Sequence, residues 1–378
     1  MNAAVAAAAP STRLQITDSL IYDPVAVVGC TDLTIEAAPG QTPSIKRAAP
    51  THVTPGWVLS LQGAVSGFAI RGVTFIGNGN TNTLSFEGNA LLSIRTTGGE
   101  ACTAADRIIV EDCLFTEDGT DNTNSSPGIF LLGTTGIVYQ RVFVHRCTFL
   151  NNANGAAVTG VGYGACTVTG FGNVWIENCR IERTDAIVAR ASSNMRGFCF
   201  KNLSTIVEDC LCFDLGTAGS NESFNHLGSV SFGTAVGPTT VRNCVAYRAK
   251  RGYRMQLAGT TMTVTASVYH TDLVGILAGQ VAVRQTAGTM VFQNNVMVGA
   301  GDGTAFEAAV TEDHNDVFNF GALGKVLDPT DLTIDPNFQN PSQRKWEALD
   351  PAVKTGASDG GAMGVRYPGG ETIIWCGT

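Results

Sequence analysis

Eight segments of this chain repeat one pattern: FAIRGVTF (68–75), IIVEDCLF (108–115), VFVHRCTF (142–149), VWIENCRI (174–181), TIVEDCLC (205–212), TTVRNCVA (239–246), MTVTASVY (262–269) and MVFQNNVM (290–297). Apolar or small residues stand at positions 1, 3, 6 and 8. Positions 1 and 3 have strand period, and so do 6 and 8. Between 3 and 6 the period slips by one residue, so a straight strand would send position 6 to the wrong side. A bend at positions 4 and 5 returns it to the same interior. Position 5 reads Gly72, Asp112, Arg146, Asn178, Asp209, Asn243, Ala266 and Asn294. Six of these eight are Gly, Asn or Asp, the types that tolerate positive φ. Each segment therefore reads as strand, corner, strand. Successive corners lie 40, 34, 32, 31, 34, 23 and 28 residues apart. One such unit cannot bury its apolar side alone, so the units must stack. The expected product is a parallel β-solenoid with a side-chain-filled interior and coils about 4.8 Å apart.

With these repeats, the opening ITDSLIYDPVAVVGCTDLTIEAAPGQTPSI (16–45) and the end IDPNFQNPSQRKWEALDPAVKTGASDGGAMG (334–364), the sequence resembles the right-handed parallel β-helix, pectate-lyase-like superfamily from Leu14 to Tyr367. The resemblance implies an all-β, single-stranded right-handed parallel β-helix of about ten coils. It leaves function open, because that solenoid carries lyases, hydrolases, isomerases and non-enzymatic virion parts. The expected organisation is a short helical N-terminal cap at 1–13, the β-helix at 14–322 and an irregular capping segment at 323–378. Asp-Pro at 328–329, 335–336 and 350–351 breaks the repeat there, with Pro also at 341 and 368. Proline cannot donate to a ladder and suits a sheet's end. The segment is expected to cover the last open rung, with Trp346 and Trp375 as cover residues and 371–378 as a terminal strand.

Composition narrows the partners. With 44% apolar and 15% charged residues the chain is not of the disordered class. A net charge of −8 gives no basic field for nucleic acid. No run of 18 apolar residues suggests a membrane span. The opening MNAAVAAAAP has no basic residue before its apolar run, so it reads as a short Ala-rich helix stopped by Pro10 and not as a secretory signal. Eleven Cys without such a signal suggest thiols kept reduced where the protein is made.

Two columns stand out when the repeats are stacked. Position 6 reads Val73, Cys113, Cys147, Cys179, Cys210, Cys244, Ser267 and Asn295. No pair has the ligand spacing of a zinc site. The cysteines from 113 to 244, with Asn295, are expected as an interior ladder of buried free thiols acting as small hydrophobes, and no metal is expected. Position 2 points outward yet carries Ile109, Phe143, Trp175 and Ile206 in consecutive coils. A contiguous apolar stripe marks an interface unless inserted loops cover it. A homotrimer is the natural form for rods packed side by side.

Catalytic signatures are sparse. Asp118 with Asp121 and Asp302 with Glu307 are the carboxylate pairs whose spacing could suit glycoside hydrolysis, but both lie in ordinary Asp/Gly turn sequence. The Asn-Thr-Asp, Asp-Asp and Gly-His-Gly elements common in the superfamily's hydrolases are absent. His226 in FNHLGSVSFG is a loose match to the last. A lyase needs a base and a cation for the enolate. Lys250, Arg251 and Arg254 form the most basic spot of the chain, and strand period would put Lys250 and Arg254 on one face. His314, beside Asp313 and Asp316, has no nucleophile motif to serve. The catalytic candidates are thus Lys250, Arg254 and His226, with no cofactor and no calcium-type cluster.

The reading that follows is a structural or attachment protein of a phage particle: a capsid decoration, head fibre or tail component. It would be assembled in the host cytoplasm with other virion proteins and would have no nucleic-acid or membrane partner. The alternative is a polysaccharide lyase or glycoside hydrolase, secreted or virion-borne, acting on an acidic surface glycan.

Overall fold

The computed structural model describes residues 1, 4–5, 8–47, 57–77, 90–96, 107–117, 127–133, 141–152, 164–182, 196–213, 221–227, 236–275, 277–341 and 345–366. Each full coil contributes three strands, one to each face of a tube. Face 1 includes Leu92–Thr96, Ile129–Gly133, Cys166–Thr169, Arg196–Lys201, Glu222–His226, Arg251–Met255 and Val281–Gln285. Face 2 includes Arg107–Glu111, Arg141–His145, Asn173–Glu177, Ser204–Glu208, Thr239–Arg242, Thr261–Thr265 and Thr289–Gln293. Face 3 runs in eleven strands among the described residues, from Ile21–Tyr22 to Asp316–Phe318. All three are built from parallel pairs of successive coils, as in Val142↔Val174, Phe149↔Ile181 and Phe198↔Phe224. This is a right-handed parallel β-helix, the hand expected of crossovers between twisted parallel strands.

The kink predicted from the repeat is where the backbone turns from face 2 to face 3. All eight position-5 residues have positive φ, from 47° at Ala266 to 66° at Gly72. Positions 1, 3, 6 and 8 point inward on both sides of it: Ile108, Val110, Cys113 and Phe115 are buried, as are Val174, Ile176, Cys179 and Ile181. The interior is columnar. Phe75, Phe115 and Phe149 stack with centroids 4.7 and 5.1 Å apart, and Phe198, Phe224 and Tyr253 with centroids 5.4 and 5.3 Å apart. These separations approach the strand spacing because like residues occupy like positions in adjacent coils.

The structure adds a ninth repeat, VTEDHNDV (310–317), with Val310 and Val317 buried at positions 1 and 8. His314 holds its corner with φ 52°, and Asn315 takes position 6 beneath Asn295. The 20-residue spacing from Asn294 to His314 was the signal that could have revealed it.

At the N-terminus Ala4 and Val5 are helical, and Val5 is buried in the core. At the other end Leu332 bridges Asp316 and so extends the last rung. The rest of the tail differs from expectation. Phe338–Asn340 and Lys345–Ala348 form an antiparallel pair, and a short helix, Pro351–Thr355, is capped by Asp350. Trp346, Val353, Met363 and Val365 pack on Leu211, Val245, Val268 and Val296, the outward residues of face 3. The tail thus doubles back along the side of the tube instead of only closing its end. Its last described residue, Arg366, donates its backbone N–H to Asn243 Oδ1 at 2.7 Å. That apolar outer column needs cover, and the tail supplies it. Trp375 and the 371–378 segment lie outside the described residues.

Candidate functional site

The position-6 column lines the inside of the tube. Cys113, Cys147, Cys179, Cys210 and Cys244 are buried free thiols. Each points its Sγ at the position-3 carbonyl of the preceding coil: Ile70, Val110, Val144, Ile176 and Val207, at 3.3–3.8 Å. Burial pushes the Cys147 and Cys210 thiols far above their ordinary range. Asn295 fills the same slot with a stronger polar group. Its Nδ2 donates to Val264 O at 3.0 Å, and its Oδ1 accepts from Ser267 N at 2.8 Å. Asn315 repeats this one coil on, donating to Phe292 O at 2.9 Å and accepting from Asn295 N at 3.0 Å. The column therefore lies wholly inside the tube. It returns partners to main-chain groups at the kink.

His226 is also interior. It stacks between Phe200 and Met255 in the face 1 register and is fully buried. Neither ring nitrogen has a hydrogen-bond partner among the described residues. Burial, with the Lys201 charge adding to it, pushes the imidazole down to about 4. Facing the core, it meets no external substrate.

The basic cluster lies outside the tube on face 1, but with different members than strand period suggests. Arg251 and Arg254 converge, not Lys250 and Arg254. The reason is a second slip of period at the start of the strand. Gly252 and Tyr253 both face inward: a Cβ on Gly252 would stand 2.5 Å from the Tyr269 ring, and Tyr253 belongs to the interior aromatic stack. Arg251 and Arg254 therefore flank an inward pair and emerge on the same outer surface. Between them sits Glu222, with no exposed surface. Arg251 Nη1 donates to its Oε1 at 3.0 Å, Arg254 Nη1 pairs with the same oxygen, and Arg196 lies 3.0 Å from its Oε2. Asn225 donates to Oε2 as well. Arg251 also donates to Gln280 Oε1 at 2.6 Å. Gln256, with its amide oxygen turned to the guanidinium, accepts from Arg254.

Three guanidinium groups thus meet one carboxylate in a nearly water-free place. Burial lowers the Arg251 pKa from its usual value. Such a cluster can hold an anion, but it offers no base, because its carboxylate is fully engaged. Lys250 is half-buried and has no ion pair among the described residues. Glu222 and Arg196 were missed in the sequence because they lie 29 and 55 residues before Arg251. Strict alternation with the inward Phe198 and Phe224 would turn both inward, so the slip of period hid them.

Of the carboxylate pairs, Asp118 and Asp121 lie outside the described residues. Asp302 accepts Gly275 N at 2.7 Å, whereas Glu307 lies 3.7 Å from Arg284. No group of three or more His, Cys, Asp or Glu side chains is arranged to hold a metal ion among the described residues. None of their helices is long and apolar enough to cross a membrane.

The outward stripe of face 2 is continuous in register: Ala69↔Ile109↔Phe143↔Trp175↔Ile206. Ile109, Phe143, Trp175 and Ile206 are half-buried. The Phe143 and Trp175 rings stack at 4.8 Å and 6°. Their faces cover each other and their edges look outward, which suits contact with an apolar surface better than stacking on a sugar.

No protein-family model matches the chain, and no curated protein matches it. Among solved structures, the pectate lyase Pel9A is similar, with 14% identity and a TM-score of 0.49 over 98% of this chain and 84% of that one.

Proposed function

We propose that this protein is a structural or attachment component of a phage particle, a rigid β-helical rod serving as capsid decoration, head fibre or tail part beside other virion proteins. The observation that carries the reading is the stacked Phe143–Trp175 pair in a half-buried apolar stripe. Side chains of this kind on the outer surface of a stiff parallel sheet suit a contact between macromolecules. The columnar core of stacked rings supports the reading of a stiff rod as well. Mass spectrometry of purified particles, with antibody labelling on grids, tests it. Recovery of the chain in fixed stoichiometry with the capsid or tail is the expected result. Its absence from particles whose other components are all recovered would sink the reading.

A second reading, a lyase or hydrolase for an acidic glycan, draws on the guanidinium cluster of Arg196, Arg251 and Arg254. Guanidinium groups match carboxylates in bidentate fashion. Release of unsaturated or reducing sugar from acidic polysaccharides, abolished in Arg254→Ala, would favour it over the first.

A further inference from the structure

The stripe on face 2 is flanked by two different charge columns. On the side where the strands begin stand Arg107 and Arg141, both exposed. Neither has an ion-pair partner among the described residues. On the side where the strands end stand, in register, Arg71, Glu111, His145, Glu177, Glu208 and Arg242. Part of this second column is neutralised within the chain. Glu111 pairs with Arg71 at 2.7 Å and Arg146 at 2.6 Å, and Glu208 pairs with Arg242 at 2.5 Å. Among the described residues Glu177 has only His145 as an ion-pair partner, at 3.5 Å, and its side chain is 41% exposed. Over the coils from Ile109 to Trp175 the surface therefore reads, across the strands, as basic, apolar, acidic.

We propose that this face binds a second copy of the same chain, the two rods lying parallel and at equal height about an axis along the tube. The inference rests on the stripe being a contact surface, as in the proposed function, and adds the partner and its direction. A rotation axis along the tube keeps every coil at its own height and exchanges the two sides of the face. The basic column of one copy then meets the acidic column of the other. Arg141 comes opposite the partner's coil of His145, with Glu111 and Glu177 one coil to either side. An axis across the tube would reverse one rod and set Arg against Arg, which like charges oppose. Two-fold and three-fold closure share this property, so the direction of the rods follows before their number does.

The size of the face sets the strength. Seven coil steps of about 4.8 Å and four residue steps of about 3.3 Å give roughly 450 Å² per copy. The pair of surfaces, roughly 900 Å², falls below the 1,200–2,000 Å² of a stable complex, so the self-association is weak and concentration-dependent. Its charge component weakens with added salt.

Sedimentation equilibrium of the full chain across a wide concentration range, at low and high salt, tests this. The expected result is reversible self-association, weakened about tenfold or more by Arg141→Glu and likewise by Glu177→Arg. In Arg141→Glu/Glu177→Arg the two columns exchange one charge each, and association returns to within about threefold of the original. Circular dichroism of each variant separates a lost contact from a lost fold. A chain that stays monomeric at every concentration overturns the inference. So does a double variant no stronger than the single ones. Either failure leaves the particle reading standing, since that is judged on particles, while absence from particles leaves the self-association measurement intact.

Discussion

Replacing Asn295 by Ala is the sharpest test of the interior column. The side chain is fully buried and makes three hydrogen bonds: to Val264 O at 3.0 Å, from Ser267 N at 2.8 Å, and to Asn315 Oδ1 at 3.1 Å. Truncation strips a partner from two main-chain groups that water cannot reach. At about 1–3 kcal/mol for each buried group left unsatisfied, the loss is about 2–6 kcal/mol. The control is Cys179→Ala, in the same column. It removes one weak thiol donor and a small volume, a loss of roughly 1–2 kcal/mol. Because solenoid coils couple mainly to their neighbours, the effect is read both globally and locally. Urea unfolding followed by tryptophan fluorescence gives the first, and hydrogen exchange at the Ser267 amide the second. The Asn295 variant is expected to lose at least twice what the Cys179 variant loses, with Ser267 exchange accelerated. Equal losses, or an unchanged Ser267 amide, would refute the idea that this column exists to satisfy the kink.

Removing the carboxylate in Glu222→Ala leaves Arg196, Arg251 and Arg254 in mutual repulsion, with an expected loss of about 3–5 kcal/mol in urea unfolding; a loss below about 1 kcal/mol would mean the guanidinium groups do not depend on it. The pH response near the tail follows from two carboxyls. Burial raises Asp316 to about 7 and Asp331 to about 8, the second with Glu312 beside it. Both bind a proton more tightly folded than unfolded, so their contribution is complete below about pH 4 and is lost as pH rises through 7 and 8. His226 and His270, both pushed down to about 4, act oppositely, gaining stability between about pH 4 and 6.5, so the decline is cleanest above that. A loss of about 1 kcal/mol between pH 6.5 and 8 is expected in thermal midpoints, with half-exposed Asp331 discounted for solvent screening, and Asp331→Asn should flatten it. Finally, Cys147 and Cys210 should resist alkylation in the native protein and react on unfolding; labelling of either at the unfolded rate, mapped by mass spectrometry, would contradict an inward column.

The kink was legible because it is a local demand. A residue at positive φ between two inward-facing pairs leaves its mark within eight residues, and Asp112, Asn178 and Asn243 carry that mark plainly. The inward Cys column and the outward stripe follow from the same alternation. His314 hid the ninth repeat because histidine is an uncommon corner residue, although Asn315 beneath Asn295 repeats the column's chemistry.

What the chain could not announce is what its coils bring together. Arg251 and Arg254 meet Glu222 because successive strands of face 1 fall into register, and Lys250 drops out because Gly252 and Tyr253 both turn inward. The tail lies along Leu211, Val245, Val268 and Val296 because those outward residues, scattered over 86 positions, become one apolar groove only after stacking. Periodicity within a strand is set by bond geometry and shows in sequence. Neighbours across coils are set by the lengths of the loops between them, which leave no local pattern, so only the folded tube decides them.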